Sequence, residues 1–139
     1  MARYCVAMSQ ANVETARRWL DAVAEEDVET ASGLVDRDVV LVPPGGQPPY
    51  RGVDSMRRWM EPDAFEGQEV KEFEPVLAGG CRVLGRLHIR ARGMTSGIEL
   101  DVRSWAVWTF DDDGLITRIE IFLQHQEDEA RAAADSLRR

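Results

Sequence analysis

The second half of the sequence alternates polar and apolar residues over long stretches, and this period of two constrains the fold more than any other feature. The alternation runs through residues 69–77, 81–92, 98–110 and 115–124, and turn-forming segments at 78–80, 93–97 and 111–114 separate these runs. Such a pattern is typical of strands that bury one face of a sheet and are joined as antiparallel hairpins. The sequence therefore predicts four consecutive antiparallel strands.

The predicted strands have one apolar face and one charged face. The apolar face is expected to carry Cys81, Val83, Gly85, Leu87, Ile89 and Ala91, followed in the next two strands by Ser104, Ala106, Trp108, Ile119 and Ile121. The other face carries arginines and acidic residues, together with Leu84, Trp105, Val107 and Phe122. Folding the hairpins about their turns predicts that Arg92 faces Glu99, that Arg90 faces Asp101 and that Trp105 faces Glu120. A slip of two residues would change the partners and keep the faces.

The first half of the sequence is typical of helices around one short strand. Apolar residues at helical spacing predict helices at 12–26 and 28–34, the second opened by Asp27 as its cap. Residues 39–42 read as a buried strand, and the Pro- and Gly-rich segment 43–50 that follows predicts irregular structure. Asp54 is expected to cap a third helix that ends near Glu61, and the Ala-rich segment 126–137 is expected to be helical. The sequence thus predicts a single α+β domain with a curved antiparallel sheet around three helices.

Composition narrows the classes of partner and compartment. A formal net charge of -8 disfavours binding to nucleic acid or to anionic membranes. The two cysteines, Cys5 and Cys81, match no metal-binding or redox spacing and are expected to be reduced, which suits a cytoplasmic protein. With two histidines and no Cys/His cluster, the sequence predicts no metal and no cofactor.

Several motifs and their order resemble the SnoaL-like branch of the nuclear-transport-factor-2-like superfamily, which includes ketosteroid isomerase-like and polyketide cyclase-like proteins. The resemblance is carried by Met8-Ser9-Gln10 before Asn12-Val13-Glu14, by Pro49-Tyr50-Arg51-Gly52, by Val107-Trp108-Thr109-Phe110 and by the stretch from Asp113 to Phe122. It implies a cystatin-like cone in which the sheet wraps around the three N-terminal helices. It also implies that residues 1–8 form a disordered extension and that 9–139 form one SnoaL-like domain.

The catalytic positions of the resembling families hold no acid or base in this sequence. Isomerases of this kind use an Asp at the end of the first strand, a Tyr on the first helix and a protonated Asp before the final hairpin, and these positions correspond to Pro43, Trp19 and Ala106. SnoaL-type cyclases use a His and an Asp, which correspond to Ala106 and Gln124. Asp101-Val102-Arg103 is similar to the Asp-Arg-Asp set of limonene epoxide hydrolase, but its order is reversed and its side chains are predicted to face outward.

These substitutions favour binding of a small apolar molecule between the helices and the concave sheet. The residues expected to line this pocket are Trp19, Leu41, Pro43, Tyr50, Trp59, Ser104, Ala106, Trp108, Leu123 and Gln124. One alternative is an isomerase, cyclase or epoxide-hydrolase-like enzyme that takes its acid or base from His125 or Glu61. Another alternative is a structural dimer module whose core is filled.

The outer face predicts a homodimer. Its apolar content exceeds that of an ordinary solvated face, and proteins with the resembling fold commonly dimerise there. The interface is expected to contain Arg86, His88, Arg103, Trp105, Glu120 and Phe122.

Overall fold

Four helices and one six-stranded sheet make up the part of the chain that the computed structural model describes, residues 9–61, 65–93 and 96–135. The helices are α1 (Ser9–Ala24), α2 (Val28–Gly33), α3 (Val53–Trp59) and α4 (Glu127–Asp135). The strands are β1 (Val35–Val42), β2 (Tyr50–Arg51), β3 (Phe65–Gly79), β4 (Arg82–Gly93), β5 (Glu99–Phe110) and β6 (Ile116–Leu123). The predicted extension 1–8 lies outside the described residues.

The strands form one curved, unclosed sheet in the order β2-β1-β6-β5-β4-β3. The predicted α+β class and the four consecutive strands β3 to β6 are confirmed. The sheet contains one parallel pair, because β1 runs parallel to β6, with Leu41 opposite Ile119. The long connection from β1 through α3 and the three following strands returns the chain to β1 in that direction, as a parallel pair requires.

One of the two predicted hairpin registers is correct. Arg92 pairs with Glu99 and Arg90 pairs with Asp101, as expected. The prediction for Trp105 is wrong, since it faces Phe122, while Glu120 faces Val107. A register shift between Thr109 and Phe110 accompanies this displacement of two residues, which keeps every side chain on its predicted face.

The sheet has helices on both sides. Helices α1, α2 and α3 pack on the concave side, where they form the main core with β1, β4, β5 and β6. On the convex side α4 covers a second apolar group, called here the convex cluster, which consists of Leu84, Trp105, Val107, Ala130 and Ala134. The predicted separation of the two faces is therefore confirmed. The apolar residues of the convex face are covered by α4 of the same chain.

The helix starts differ in how they are capped. Asp27 caps α2 as predicted, and its carboxylate accepts hydrogen bonds from the backbone N–H and the hydroxyl of Thr30. Asp54 does not cap α3, because it lies inside the first turn and Gly52 holds the cap position at a φ of 92°. Only glycine adopts that left-handed geometry without strain, so the chain turns into α3 at Gly52.

Cys81 is disulfide-bonded, so the expectation of two reduced thiols is wrong. One of the grounds for a cytoplasmic location is thereby removed, and that location stays a prediction. None of the described helices combines the length and the apolar character that crossing a bilayer requires.

Candidate functional site

Four aromatic rings from four different elements meet on the concave side of the sheet. They are Trp19 of α1, Trp59 of α3, Phe73 of β3 and Trp108 of β5, and are called here the aromatic cluster. Trp19 and Trp59 are stacked, with ring centroids 6.2 Å apart and planes 8° apart. Trp108 meets Trp19 edge to face at 6.4 Å and Phe73 at 5.7 Å. All three centroid distances lie in the range where offset-stacked and edge-to-face aromatic pairs attract.

Under the aromatic cluster, the sheet has no side chain at Gly85. A Cβ atom at this position would lie 2.6 Å from Cε1 of Phe73 and 3.2 Å from the ring of Trp108. The missing side chain therefore lets the two rings approach the backbone of β4. Neither Phe73 nor the role of Gly85 was predicted from sequence, although an aromatic residue directly flanked by two glutamates, Glu72 and Glu74, is a detectable signal.

Two polar groups in the aromatic cluster lack hydrogen-bond partners. The indole Nε1 atoms of Trp19 and Trp108 are buried and have no acceptor among the described residues, and the two residues are 2% and 0% exposed. Asn12, four residues before Ala16 and seven before Trp19 on α1, is 3% exposed. Since buried polar groups are nearly always paired, and an unpaired one costs about 1–3 kcal/mol, two such groups in one cluster are unusual.

The other residues predicted to line the pocket divide into an inner and an outer group. Leu41, Pro43, Ser104 and Ala106 are buried, and Tyr50 packs partly buried against the core. Leu123 is 38% exposed at the end of β6. Gln124 is exposed and lines a cleft on the convex side instead.

The concave side offers no acid or base among its buried side chains. Within the described ranges, Asn12 and Ser104 are the buried polar or charged residues. Glu61 follows α3 and His125 follows β6; both are exposed, and neither side chain has a hydrogen-bond or ion-pair partner in the part of the chain that is described. Across residues 9–61, 65–93 and 96–135, no group of three or more His, Cys, Asp or Glu side chains could hold a metal ion.

The convex side carries a ladder of ion pairs. Asp101 Oδ1 lies 3.1 Å from Nε2 of His88 and 3.4 Å from Nε of Arg90. The hydrogen bond from His88, followed by that from Arg90, holds the pKa of the Asp101 carboxyl below its usual value. Asp101 and Arg103 are both exposed, so the hydrolase-like sequence faces solvent, as predicted.

A cleft of about 350 Å³ opens on the same convex side and is called here the convex-face cleft. Its lining comes from β3, β4, β5, the residue after β6 and the start of α4, and consists of Glu72, Arg86, Leu87, Arg103, Ser104, Trp105, Gln124 and Glu127. Arg86 is paired with Glu74, which raises the pKa of its guanidinium. Trp105 donates from Nε1 to the Gln124 carbonyl over 3.1 Å, which holds one wall in place.

The residues predicted to form a dimer interface share this convex side, but they are not equally accessible. Trp105 is 5% exposed, because Ala130 and Ala134 of α4 pack near it and the guanidiniums of Arg86 and Arg131 lie 5.7 Å and 5.9 Å from its ring. The apolar residues that prompted the dimer prediction therefore have an intramolecular cover. The homodimer itself stays a prediction.

Comparisons with known proteins agree on the fold. A family model that describes the SnoaL-like domain matches residues 16–119. A candidate polyketide cyclase from Xanthomonas campestris pv. campestris superposes with a TM-score of 0.75 at 16% identity, covering 86% of this chain and 94% of that chain. An NTF2-like protein from Burkholderia xenovorans LB400 superposes with a TM-score of 0.68 at 20% identity, covering 91% and 96% of the two chains.

A third similar structure is SalBIII, described as an epoxide hydrolase/cyclase-like enzyme in pyran ring formation of the polyether salinomycin. It has a TM-score of 0.68 at 15% identity and covers 85% of this chain and 94% of its own. Among curated proteins, none matches the sequence. At these identities the structural likenesses establish the fold alone, because one fold hosts many unrelated functions.

Proposed function

The chain belongs to the SnoaL-like family, and from that premise we propose that it binds a small, mostly apolar molecule between helices α1–α3 and the concave side of the sheet. The ligand carries hydrogen-bond acceptors, such as carbonyl or ether oxygens, which face the indole N–H groups of Trp19 and Trp108. The rings of the aromatic cluster supply the flat apolar surface that such ligands bury.

The observation that carries this proposal is the pair of buried indole N–H groups without acceptors. In a core that is simply filled, each of them would lower the free energy of unfolding, because its hydration is lost and not replaced. A ligand oxygen near either group restores the missing bond. The buried side chain of Asn12, two helical turns before Trp19 on α1, adds a donor and an acceptor to the set.

The same residues support binding over proton-transfer catalysis. The positions that correspond to the acids and bases of the isomerases and cyclases are Pro43, Trp19 and Ala106, and none of them can exchange a proton near neutral pH. An enzyme that draws its acid or base from His125 or Glu61 is the second candidate. What supports it is the cyclase-like or hydrolase-like description of two similar structures.

A matched pair of probes tests the proposal: the aromatic ketone 2-acetylnaphthalene and the similarly shaped hydrocarbon 2-ethylnaphthalene. We expect the ketone to shift the indole N–H resonances of Trp19 and Trp108 in protein labelled with ¹⁵N at tryptophan, and to raise the melting temperature more than the hydrocarbon does. The Trp105 indole is an internal control, since it already donates to Gln124 on the other side of the sheet.

The variant Trp19→Phe keeps a ring and removes one donor, so the preference for the ketone should fall. Trp105→Phe is the matched control and should keep that preference. The proposal is contradicted if an experimental structure shows both indole N–H groups bonded to protein atoms within a filled interior.

A further inference from the structure

The convex-face cleft combines two charged side chains, Glu72 and Arg103, that have no hydrogen-bond or ion-pair partner among the described residues. Of its charged lining residues, Arg86 is paired with Glu74, and Glu127 is paired with Arg131. Glu72 and Arg103 are exposed and have no hydrogen-bond or ion-pair partner within the described ranges.

Arg103 is an exception among the arginines of its part of the sheet. On β4, β5 and β6, the guanidiniums of Arg90, Arg92 and Arg118 each have a carboxylate oxygen within 3.5 Å, and Arg86 also has one. Arg82 donates to the carbonyl of Ala133. Among the described arginines of these strands, Arg103 is therefore the one without a hydrogen-bond or ion-pair partner.

The sheet holds the two unpaired charges at a defined separation. Glu72 on β3 and Arg103 on β5 both pair in register with His88 on the strand between them, so their Cα atoms are two strand spacings apart, or roughly 10 Å. His88 is itself held by its contact with Asp101. The two charges thus lie on strands β3 and β5, which are both hydrogen-bonded to β4, and not on loops.

The balance of charge in the cleft selects the class of ligand. A phosphate or a dicarboxylate would face the carboxylates of Glu72 and Glu127, and a polyamine would face the guanidiniums of Arg86 and Arg103. A molecule with one anionic and one cationic end meets an opposite charge at each end, with the Gln124 amide as an additional donor. A cleft of about 350 Å³ has room for a molecule of the size of an amino acid or a dipeptide.

We infer that the convex-face cleft is a second ligand site, which takes a small zwitterion of the amino acid or short peptide class. Its carboxylate lies against Arg103 and Gln124, and its ammonium group lies against Glu72. This site is on the opposite side of the sheet from the aromatic cluster, and its lining contains none of the four rings of that cluster.

Titration of the full chain with three zwitterions of increasing charge separation tests the inference: L-alanine, L-alanyl-L-alanine and ε-aminocaproate. We expect at least one of them to give saturable shifts of the Trp105 indole and the Gln124 amide in ¹H–¹⁵N spectra. The indole N–H resonances of Trp19 and Trp108 should stay unchanged, which distinguishes binding in the convex-face cleft from binding at the aromatic cluster. Propionate and propylammonium, each with one of the two charges, should bind at least about tenfold more weakly.

Arg103→Gln and Glu72→Gln should each raise the dissociation constant of the best zwitterion about tenfold or more. Arg118→Gln and Glu99→Gln, which remove charges of the same face outside the cleft, should leave it unchanged. Circular dichroism confirms that the four exposed substitutions fold. The inference is overturned if none of the zwitterions shifts these resonances, if propionate binds as tightly as the zwitterions, or if the control variants lose binding equally.

Discussion

At Gly85 the backbone of β4 lies closer to two aromatic rings than any side chain would permit. The ring of Phe73 occupies the space of the missing Cβ, and the ring of Trp108 lies beside it. Trp108 in turn meets Trp19, so the packing of three rings depends on the absence of a side chain at Gly85. Because interiors are packed as densely as crystals, these rings have little space into which they could move.

Gly85→Ala should therefore destabilise the protein. Insertion of a methyl group into a filled space typically costs about 1–3 kcal/mol, because rotamers and backbone must shift. Chemical denaturation in urea measures the loss. Gly79→Ala is the matched control in the neighbouring strand, since a Cβ there meets no atom within 4 Å. Equal stability of the two variants would contradict the close packing at Gly85.

Helix α2 is an element that depends on its first residue. It has six residues, which is too short for stability by propensity alone, and buries only Ala31. The Asp27 carboxylate satisfies the backbone N–H of Thr30 at 3.2 Å and accepts from its hydroxyl at 2.7 Å. The hydroxyl contact, followed by the backbone contact, holds the pKa of Asp27 below its ordinary value of 3.8.

Asp27→Ala should lower the melting temperature at pH 7, whereas Asp27→Asn, which can still accept these bonds, should lower it less. Because the pKa of Asp27 is depressed in the folded state, its contribution is present above 3.8 and is lost as the pH falls through the lower folded value. Differential scanning calorimetry of the wild type and the Ala variant across this range checks the sign. A difference that grows as the pH falls would contradict the assignment.

At the scale of the molecule, one sheet has two unequal covers. The concave side is covered by α1, α2 and α3, which contribute large side chains such as Trp19, Leu20 and Met56 to the core. The convex side is covered by α4, which contributes only Ala130 and Ala134 as buried residues above Leu84, Trp105 and Val107. Two methyl groups bury little area, so α4 is the weaker of the two covers.

Removal of α4 by ending the chain after Gln126 should expose the convex cluster. We expect a larger mass by light scattering than that of the full chain, together with increased binding of the dye ANS, because an apolar patch of this kind associates with a second copy. A chain that ends after Asp135 is the control and should behave like the full protein. The expectation fails if the shorter chain keeps the mass and dye response of the full chain.

Local patterns in the sequence predicted the faces of the sheet, because the period of two is a property of each strand alone. They placed Trp108 and Ala106 inward and Asp101 and Arg103 outward, in agreement with the structure. They also predicted the register of β4 with β5, since the intervening turn is bounded by glycines and the charges of Arg90 and Asp101 match across it.

Features that depend on two distant segments were decided only in the tertiary structure. The register of β5 with β6 depends on an irregularity at Thr109 and Phe110, and the parallel pairing of β1 with β6 depends on where the chain returns after some 75 residues. The cover over Trp105 requires the small side chains of α4 to fit its ring, and the unpaired charges of Glu72 and Arg103 become neighbours only through His88. The local pattern of a sequence indicates which face of a strand each residue occupies. Contacts between segments that are far apart in the sequence depend on how those segments pack, and a local pattern carries no information about that.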